Sequence, residues 1–201
     1  NDIIFLQEIW LTDQELHILS DIDCNFFASL QSTVDSSSEV IRGPVRGGTA
    51  VLWRRDLAGV KVLQSHDSRI MYVEFSTEDI CILFINVYLP THCDDHYEDF
   101  LHYLSEINSF IDNHPFAHAC IIGDFNANLL DVSNTFGKAL CNFSDVENYI
   151  IADKKKCVDS TFTFYSEPHN TVSWLDHIVI STNLDSSVQD IVVDYDFVSS
   201  D

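Results

Sequence analysis

Three groups of polar side chains lie next to short apolar runs that are typical of buried strands. These groups are Gln7-Glu8, Gly123-Asp124-Phe125-Asn126 and Asp176-His177. A rigid sheet commonly presents functional groups at its strand ends and in the loops that follow them. Carboxylates that converge there would form an oxygen-ligand site suited to a hard cation such as Mg²⁺. The sequence therefore predicts metal-assisted chemistry at the end of a sheet.

The run Gly123-Asp124-Phe125-Asn126 is the most specific of these groups. Glycine permits a tight turn or a close approach of a ligand. Asp124 and Asn126 are two residues apart, so their side chains can share a face if the segment stays extended. The same residue types are also typical of a turn in which both side chains bond the local backbone. Taken alone, the run leaves both interpretations open.

Three further candidates also have plain structural interpretations. Glu8 follows a predicted strand and has the position of an ordinary solvated acid. Asp176 interrupts an apolar stretch, where an unpaired charge is costly, so it needs a cation or a hydrogen-bond partner. A purely structural partner would satisfy it equally well. Tyr88 stands late in a predicted strand, where an aromatic side chain is usually part of the core.

Charge and composition limit the function further. The chain has 201 residues with 10 basic and 32 acidic side chains, a net charge of −22. Nonspecific nucleic-acid binding normally relies on Lys and Arg, so a metal ion would supply much of the positive charge for any phosphate ester. The six cysteines have neither C-x-x-C nor zinc-type spacing. The cysteine pattern predicts a reducing, intracellular protein without a disulfide framework, and no membrane partner is expected, because the longest apolar run is too short to span a bilayer.

Hydrophobic periodicity predicts many strands and few long helices. Thr12 and Glu15 form a capping-box pattern that should begin a helix through about Leu19. Apolar residues at helical spacing predict an amphipathic helix over residues 94–112. Strands are predicted at residues 3–6, 49–53, 60–63, 69–75, 80–88, 117–122, 161–164, 175–180 and 188–193. This mixed order favours a layered α/β sandwich over a strict βαβ repeat.

Six motifs occur in an order that resembles the endonuclease/exonuclease/phosphatase superfamily. They are Gln7-Glu8, Gly47-Gly48-Thr49-Ala50-Val51, Asn86-Val87-Tyr88-Leu89-Pro90, Gly123-Asp124-Phe125-Asn126, Thr161-Phe162-Thr163-Phe164 and Ser173-Trp174-Leu175-Asp176-His177. The resemblance covers essentially the whole chain, and residues 46–53 look most like the endonuclease domains of LINE-type non-LTR retrotransposons. It implies an α/β (α+β) fold, a four-layered α/β sandwich of two packed mixed β-sheets flanked by helices.

The resemblance also implies phosphodiester hydrolysis with Mg²⁺, or Mn²⁺ in its place, as the cofactor. The metal ligands that it implies are Glu8, Asp124, Asn126 and Asp201. Asp124 would position or deprotonate the attacking water, and Asn126 would orient that water or the phosphate. Asp201 would fall on the aspartate of a terminal Ser-Asp-His motif and belongs to the implied catalytic set.

Two more residues complete the implied catalytic set. Tyr88 would contact the scissile phosphate, and Asp176 would support the active site ahead of the terminal motif. The family pattern has an Asn on a strand before Gln7-Glu8 and a histidine after Asp201, and this chain contains neither. Residues 1–201 are therefore expected to form a single domain that is truncated at both ends and is a poor nuclease by itself.

The leading hypothesis is a DNA-nicking endonuclease domain of a retrotransposon polyprotein. Its partners would be DNA and the reverse transcriptase domain of the same polyprotein, and it would act in the nucleus if its target is chromosomal DNA. One alternative is a hydrolase of a small or lipid phosphodiester, which the charge of −22 favours. Another is a catalytically inactive remnant or binding module that keeps the fold.

Overall fold

The computed structural model describes residues 2–33, 47–115 and 117–195. The chain divides into two compact units, residues 1–88 and residues 89–201. The prediction that residues 1–201 form one domain stays a prediction.

Among its described residues, the first unit has three antiparallel strands in each of two sheets and one short helix. Its elements are β1 (Ile3–Gln7), a 3-10 turn (Asp13–Glu15) that leads into α1 (Leu16–Ser20), β2 (Phe26–Gln31), β3 (Thr49–Arg54), β4 (Val60–Val62), β5 (Ile70–Ser76) and β6 (Cys81–Tyr88). One sheet has the order β1-β3-β2, and in the other β5 pairs with both β4 and β6. The predicted capping box is present, because the Thr12 backbone N–H donates to the Glu15 carboxylate at 2.8 Å.

The core of the first unit lies where its two sheets face each other. Val51 of β3 is buried with Met71 and Val73 of β5. The rings of Phe5 in β1 and Phe84 in β6 have centroids 5.4 Å apart. Apolar side chains from both sheets thus fill one interior, which is the packing of a sandwich. This packing holds the strand ends that carry Glu8 and Tyr88.

The described residues of the second unit form an antiparallel sheet, a hairpin and three helices. A 3-10 turn (Asp94–His96) precedes α2 (Tyr97–Asp112), and then come β7 (His118–Asp124), α3 (Thr135–Val146), β8 (Tyr149–Ile151), α4 (Ala152–Lys156), β9 (Phe164–Ser166), β10 (Thr171–Ser173), β11 (Asp176–Ser181) and a 3-10 turn (Thr182–Leu184). In the sheet, β11 pairs with β7 and with β8. The strands β9 and β10 form a hairpin.

Helix α2 confirms the amphipathic helix predicted over residues 94–112. Phe100, Leu104 and Ile107 are its buried residues, at the i, i+4, i+7 spacing of one face. The Phe100 ring stacks on Phe136 of α3 with centroids 4.2 Å apart. The stripe is therefore core, and the helix has a structural role in this unit.

Helix α3 is absent from the sequence prediction. Its first turn contains Gly137 and its second half Asn142 and Ser144, all of which are weaker helix formers than alanine. The glycine is required by packing, because a Cβ there would lie 2.7 Å from the Asn128 carbonyl oxygen. The Asn134 side chain caps the helix by accepting from the Gly137 N–H at 2.8 Å. The cap and the apolar spacing were the available signals.

Two predicted strands are wrong. Residues 161–163 are irregular, and the strand begins only at Phe164. Residues 188–193 have no regular structure and pair with no strand in the described ranges, and Val192 is 79% exposed. A β-branched run becomes a strand only where a neighbouring strand takes up its backbone hydrogen bonds. The other predicted strands are present within a few residues. Across the described parts of the chain, no helix is long and apolar enough to cross a membrane.

Candidate active site

A buried asparagine ties together three strand ends of the first unit. The Nδ2 of Asn86 donates to the carbonyl oxygens of Leu6 and Ala50, each at 3.0 Å. Its Oδ1 accepts from the Gln7 Nε2 at 2.5 Å. Asn86 is fully buried, so these bonds are shielded from water. The network fixes the end of β1, which Glu8 follows directly, against β6.

The backbone at Glu8 is strained. Glu8 is exposed and has φ 51°, and Trp10, two residues later, also has φ 51°. Left-handed backbone is uncommon for such residues and persists where the surroundings impose it. The Trp10 N–H donates to the Gly47 carbonyl at 3.1 Å, and a Cβ on Gly48 would lie 3.1 Å from the Ile9 Cγ1. The glycine pair thus holds the loop that presents Glu8.

Tyr88 is held by an arginine that the sequence analysis did not single out. The Arg69 guanidinium carbon lies 5.2 Å from the centre of the Tyr88 ring. An Arg69 guanidinium N–H donates to the Tyr88 carbonyl at 3.2 Å, and the Tyr88 N–H donates to the Arg69 carbonyl at 2.8 Å. Asp67 accepts from the Arg69 backbone N–H at 2.7 Å. One of the chain's ten Lys and Arg residues therefore lies beside a predicted phosphate contact.

Replacing Arg69 should show that it orients Tyr88. We expect Arg69→Lys to lower the stability by about 1 kcal/mol, because an ammonium neither stacks on a ring as a guanidinium does nor offers the same fork of donors. Thermal unfolding measures this change. Arg55→Lys is the matched control, since Arg55 covers the Phe27 ring at 4.3 Å but is exposed. A larger loss for Arg55→Lys than for Arg69→Lys would contradict the assignment.

Two aspartates of the second unit face each other across a strand pair. Asp124 ends β7 and Asp176 begins β11, and they are direct partners in the antiparallel register. Side chains directly opposite each other project to the same face with Cβ atoms about 5 Å apart. Like charges in that arrangement repel, so the pair favours a cation or donor groups nearby.

The turn after β7 fixes Asn126 beside this acidic pair. Asn126 is 8% exposed and has φ 51°. Its backbone N–H donates to the Asp124 Oδ1 at 2.8 Å, and its Nδ2 donates to the Asp124 Oδ2 at 3.3 Å and to the Leu89 carbonyl at 2.9 Å. The Asp124 side chain thus makes the local backbone bond of the turn interpretation, whereas the Asn126 side chain bonds the backbone of Leu89, 37 residues away. These bonds use only nitrogen donors of Asn126, so they orient the Asp124 carboxylate without using the Asn126 Oδ1.

The start of β11 is fixed by residues that sequence reasoning missed. The Thr163 Oγ1 accepts from the Leu175 N–H at 3.0 Å and from the Asp176 N–H at 3.1 Å. The Asn128 Oδ1 accepts from the Trp174 N–H at 3.0 Å. Thr163 lies in one of the motifs, yet its partners are 12 and 13 residues away, which no local pattern reveals.

The donor set fits a hard divalent cation. Asp124, Asp176 and Asn126 offer carboxylate and amide oxygens, the ligands that Mg²⁺ prefers. Within residues 2–33, 47–115 and 117–195, no group of three or more His, Cys, Asp or Glu side chains is gathered closely enough to hold a metal. Glu8 belongs to the first unit, and Asp201 lies outside the described residues. Shared metal binding by Glu8, Asp124, Asn126 and Asp201 stays a prediction.

Comparison with known proteins bears on the fold and the family. The sequence model of the Endonuclease/Exonuclease/phosphatase family matches residues 1–201. No curated protein sequence matches the chain significantly.

Solved structures match over most of the chain. The endonuclease domain of TRAS1, a telomere-specific non-LTR retrotransposon, is 19% identical with a TM-score of 0.63, covering 94% of this chain and 88% of that one. An AP endonuclease from Archaeoglobus fulgidus is 15% identical with a TM-score of 0.62, covering 92% and 78%. A mannosyl-6-phosphatase from Bacteroides thetaiotaomicron is 17% identical with a TM-score of 0.59, covering 90% and 71%. These likenesses confirm the predicted fold class.

Proposed function

Because the chain belongs to the endonuclease/exonuclease/phosphatase family, we propose that it is a Mg²⁺-dependent phosphodiester hydrolase that nicks DNA. The observation that carries this proposal is the cross-strand pair of Asp124 and Asp176 with Asn126 bonded beside it. Such a cluster of oxygen donors at a strand end suits phosphoryl chemistry that needs a cation and an oriented water.

The three residues of this cluster, Asp124, Asn126 and Asp176, have distinct roles in the proposed reaction. Asp124 accepts the proton of the attacking water, and the two bonds from Asn126 hold its carboxylate in position. Asn126 orients the water or a phosphate oxygen. Asp176 supports Asp124 from the neighbouring strand. Positioning of this kind supplies a large part of catalysis in phosphoryl transfer.

The remaining roles fall to residues outside that cluster. Tyr88, oriented by Arg69, contacts the scissile phosphate. Glu8 is a metal ligand, and Asp201 is a metal ligand that also belongs to the catalytic set. Bound Mg²⁺, or Mn²⁺ in its place, would polarise a phosphoryl oxygen and offset the negative charge that develops there.

DNA is the substrate that the likenesses favour. The TRAS1 domain and the Archaeoglobus protein are both endonucleases. We propose that the chain is the endonuclease domain of a retrotransposon polyprotein, acting with the reverse transcriptase domain of that polyprotein in the nucleus. The coverage of 88% of the TRAS1 domain supports this choice.

A plasmid-nicking assay tests the proposed function. Supercoiled plasmid is incubated with the protein in Mg²⁺, in Mn²⁺ and in EDTA, and the conversion to open circles is followed on a gel. We expect slow but measurable nicking with either metal and none in EDTA. The variant Asp124→Asn, purified in parallel, excludes a contaminating nuclease. Absence of nicking by the wild-type protein at every metal concentration would favour the inactive remnant or binding module.

A second candidate function is hydrolysis of a small phosphate ester. The net charge of −22 favours it, because a small ester exposes less negative charge to the protein than a duplex does. The mannosyl-6-phosphatase likeness is in the same direction. Assays with p-nitrophenyl phosphate and bis(p-nitrophenyl) phosphate separate the two functions. Turnover of a monoester with no plasmid nicking would show that the substrate is a small phosphate ester and not DNA.

Binding of DNA should be weak and dependent on the metal. The chain has only ten Lys and Arg residues, so few counterions are released from the duplex when it binds. We expect fluorescence anisotropy to show affinity that rises with Mg²⁺ and a shallow dependence on salt. Ca²⁺ in place of Mg²⁺ serves as the control that slows cleavage. Tight binding in EDTA with a steep salt dependence would contradict this expectation.

A further inference from the structure

A buried histidine–aspartate pair contacts the backbone next to the proposed cluster, which consists of Asp124, Asn126 and Asp176. The His177 Nδ1 is 2.7 Å from the Asp153 Oδ2, and the two residues are 1% and 4% exposed. The His177 Nε2 is 2.8 Å from the Ala127 carbonyl oxygen. A carbonyl oxygen can only accept, so Nε2 is protonated and donates a hydrogen bond to the Ala127 carbonyl. One proton also lies between Nδ1 and Oδ2.

The pair connects three segments of the second unit. His177 is the second residue of β11, and Asp153 lies in the first turn of α4. The Asp153 Oδ1 accepts from the Ile178 N–H at 2.8 Å, so Asp153 bonds to two adjacent residues of β11, His177 and Ile178. Ala127 directly follows Asn126 and is fully buried. The hydrogen bonds from Asp153 through His177 therefore reach the turn after β7, which holds Asp124 and Asn126.

The geometry separates His177 from its neighbour Asp176. Successive side chains of a strand point to opposite faces, so Asp176 lies on the face of Asp124 and His177 on the other. His177 is thus placed to support the turn from behind without reaching the proposed substrate. It contacts the backbone one residue beyond Asn126, whose left-handed φ of 51° needs support from its surroundings.

Stability alone does not account for this pair. Removing two ionisable groups from water is costly, and well-packed apolar side chains of similar volume often stabilise a core as well or better. The ring of His177 is already surrounded by apolar neighbours, with the Phe125 ring centroid 5.9 Å and the Trp174 ring centroid 6.0 Å away. The directional bond to Ala127 is what an apolar side chain would not supply.

We propose that His177 is a positioning residue, oriented by Asp153, that fixes the turn holding Asp124 and Asn126 through its bond to the Ala127 carbonyl. The inference rests on the proposed function for its catalytic consequence, but the bond and its effect on the turn stand apart from the substrate. His177 does not touch the reacting atoms and transfers no proton in this assignment.

Two substitutions at one position separate the two bonds of the imidazole. In His177→Gln the amide nitrogen takes the place of Nε2 and keeps the donor to Ala127. In His177→Asn it takes the place of Nδ1, which keeps the Asp153 contact and loses Ala127. A third variant, Asp153→Asn, keeps every bond, since its amide nitrogen can donate to Nδ1 while its oxygen still accepts from Ile178.

We expect kcat for plasmid nicking to fall about 10- to 100-fold in His177→Asn with KM little changed, because the turn is displaced from its working geometry. The kcat of Asp153→Asn should stay close to wild type, and that of His177→Gln should fall less than that of His177→Asn, because Gln keeps the Ala127 donor but loses the Asp153 contact. Hydrogen exchange of the Asn126 amide, which bonds to the Asp124 Oδ1, should speed up about tenfold in His177→Asn only. The amide of Ile121 in β7 is the internal control.

The outcomes decide between positioning and mere packing. Equal kcat and equal Asn126 exchange in His177→Asn and His177→Gln would overturn the proposal. If His177→Asn does not fold, a large loss of kcat or faster Asn126 exchange in Asp153→Asn, where the Ala127 bond is intact, would overturn it as well. If the wild-type protein does not nick DNA, the proposed function fails, and the exchange measurement still decides the positioning role.

Discussion

Asp124→Asn should reduce the rate of plasmid nicking about 10³-fold, the order of magnitude that a positioned general base contributes. The amide has no proton-accepting carboxylate, so the attacking water is left without its base. Asn is nearly the same size and can still accept from the Asn126 N–H through its oxygen, so it loses only the longer 3.3 Å bond from the Asn126 Nδ2. The turn should therefore keep its shape while the chemistry is lost.

The same variant should melt at an equal or higher temperature than the wild type. Asp124 and Asp176 are direct partners across two antiparallel strands, and removing one charge relieves their repulsion. Asp145→Asn is the matched control, because Asp145 is exposed on α3 and undergoes the identical chemical change. Its nicking rate should equal that of the wild type. Comparable activity of Asp124→Asn and Asp145→Asn would remove Asp124 from the mechanism.

Local pattern was sufficient for the elements that carry the proposed residues. The runs around Glu8, Tyr88, Asp124 and Asp176 are short, apolar and bounded by turn residues, and the corresponding strands are β1, β6, β7 and β11. A period of two and a strand boundary are properties of a few neighbouring residues. The placement of the polar groups at those boundaries followed from the same pattern.

Long-range partners are what the sequence did not reveal. The Asn86 side chain bonds to Gln7 and Leu6, which are 79 and 80 residues away. His177 bonds to Asp153 and Ala127, 24 and 50 residues away. Such pairs depend on which strands become neighbours, and a single sequence contains no local record of that choice. Gln7, Asn86 and His177 stood in recognisable motifs, but their bonding partners, and with them their supporting roles, became visible only in the structure.

Helix α3 and residues 188–193 show the same limit for secondary structure. Helix α3 is held by Phe136 stacked on Phe100 of α2, and this packing outweighs the poor propensity of Gly137. Residues 188–193 have the opposite problem, because their β-branched composition finds no strand to pair with in the described ranges. Tertiary contacts decided both cases against local preference.

Glu8→Gln and Glu8→Gly should both raise the Mg²⁺ concentration needed for half-maximal nicking, by about tenfold or more, since each removes a charged metal ligand. Their stabilities should differ. Gln keeps the strained backbone at φ 51°, whereas Gly adopts that conformation freely. The melting temperature of Glu8→Gly should therefore exceed that of Glu8→Gln by the equivalent of about 1 kcal/mol. Metal titration of nicking and thermal unfolding measure the two effects.

Asn148→Gly isolates the backbone part of this prediction. Asn148 is exposed and has φ 58°, close to the value at Glu8, but it lies in the turn between α3 and β8. The rise in melting temperature from wild type to Asn148→Gly should be smaller than the rise from Glu8→Gln to Glu8→Gly, since Asn tolerates left-handed backbone better than Gln. The Mg²⁺ dependence of Asn148→Gly should equal that of the wild type. A Glu8→Gly protein that is less stable than Glu8→Gln would show that the loop does not strain Glu8. An unchanged Mg²⁺ requirement in both Glu8 variants would mean that the strain is not maintained for metal binding.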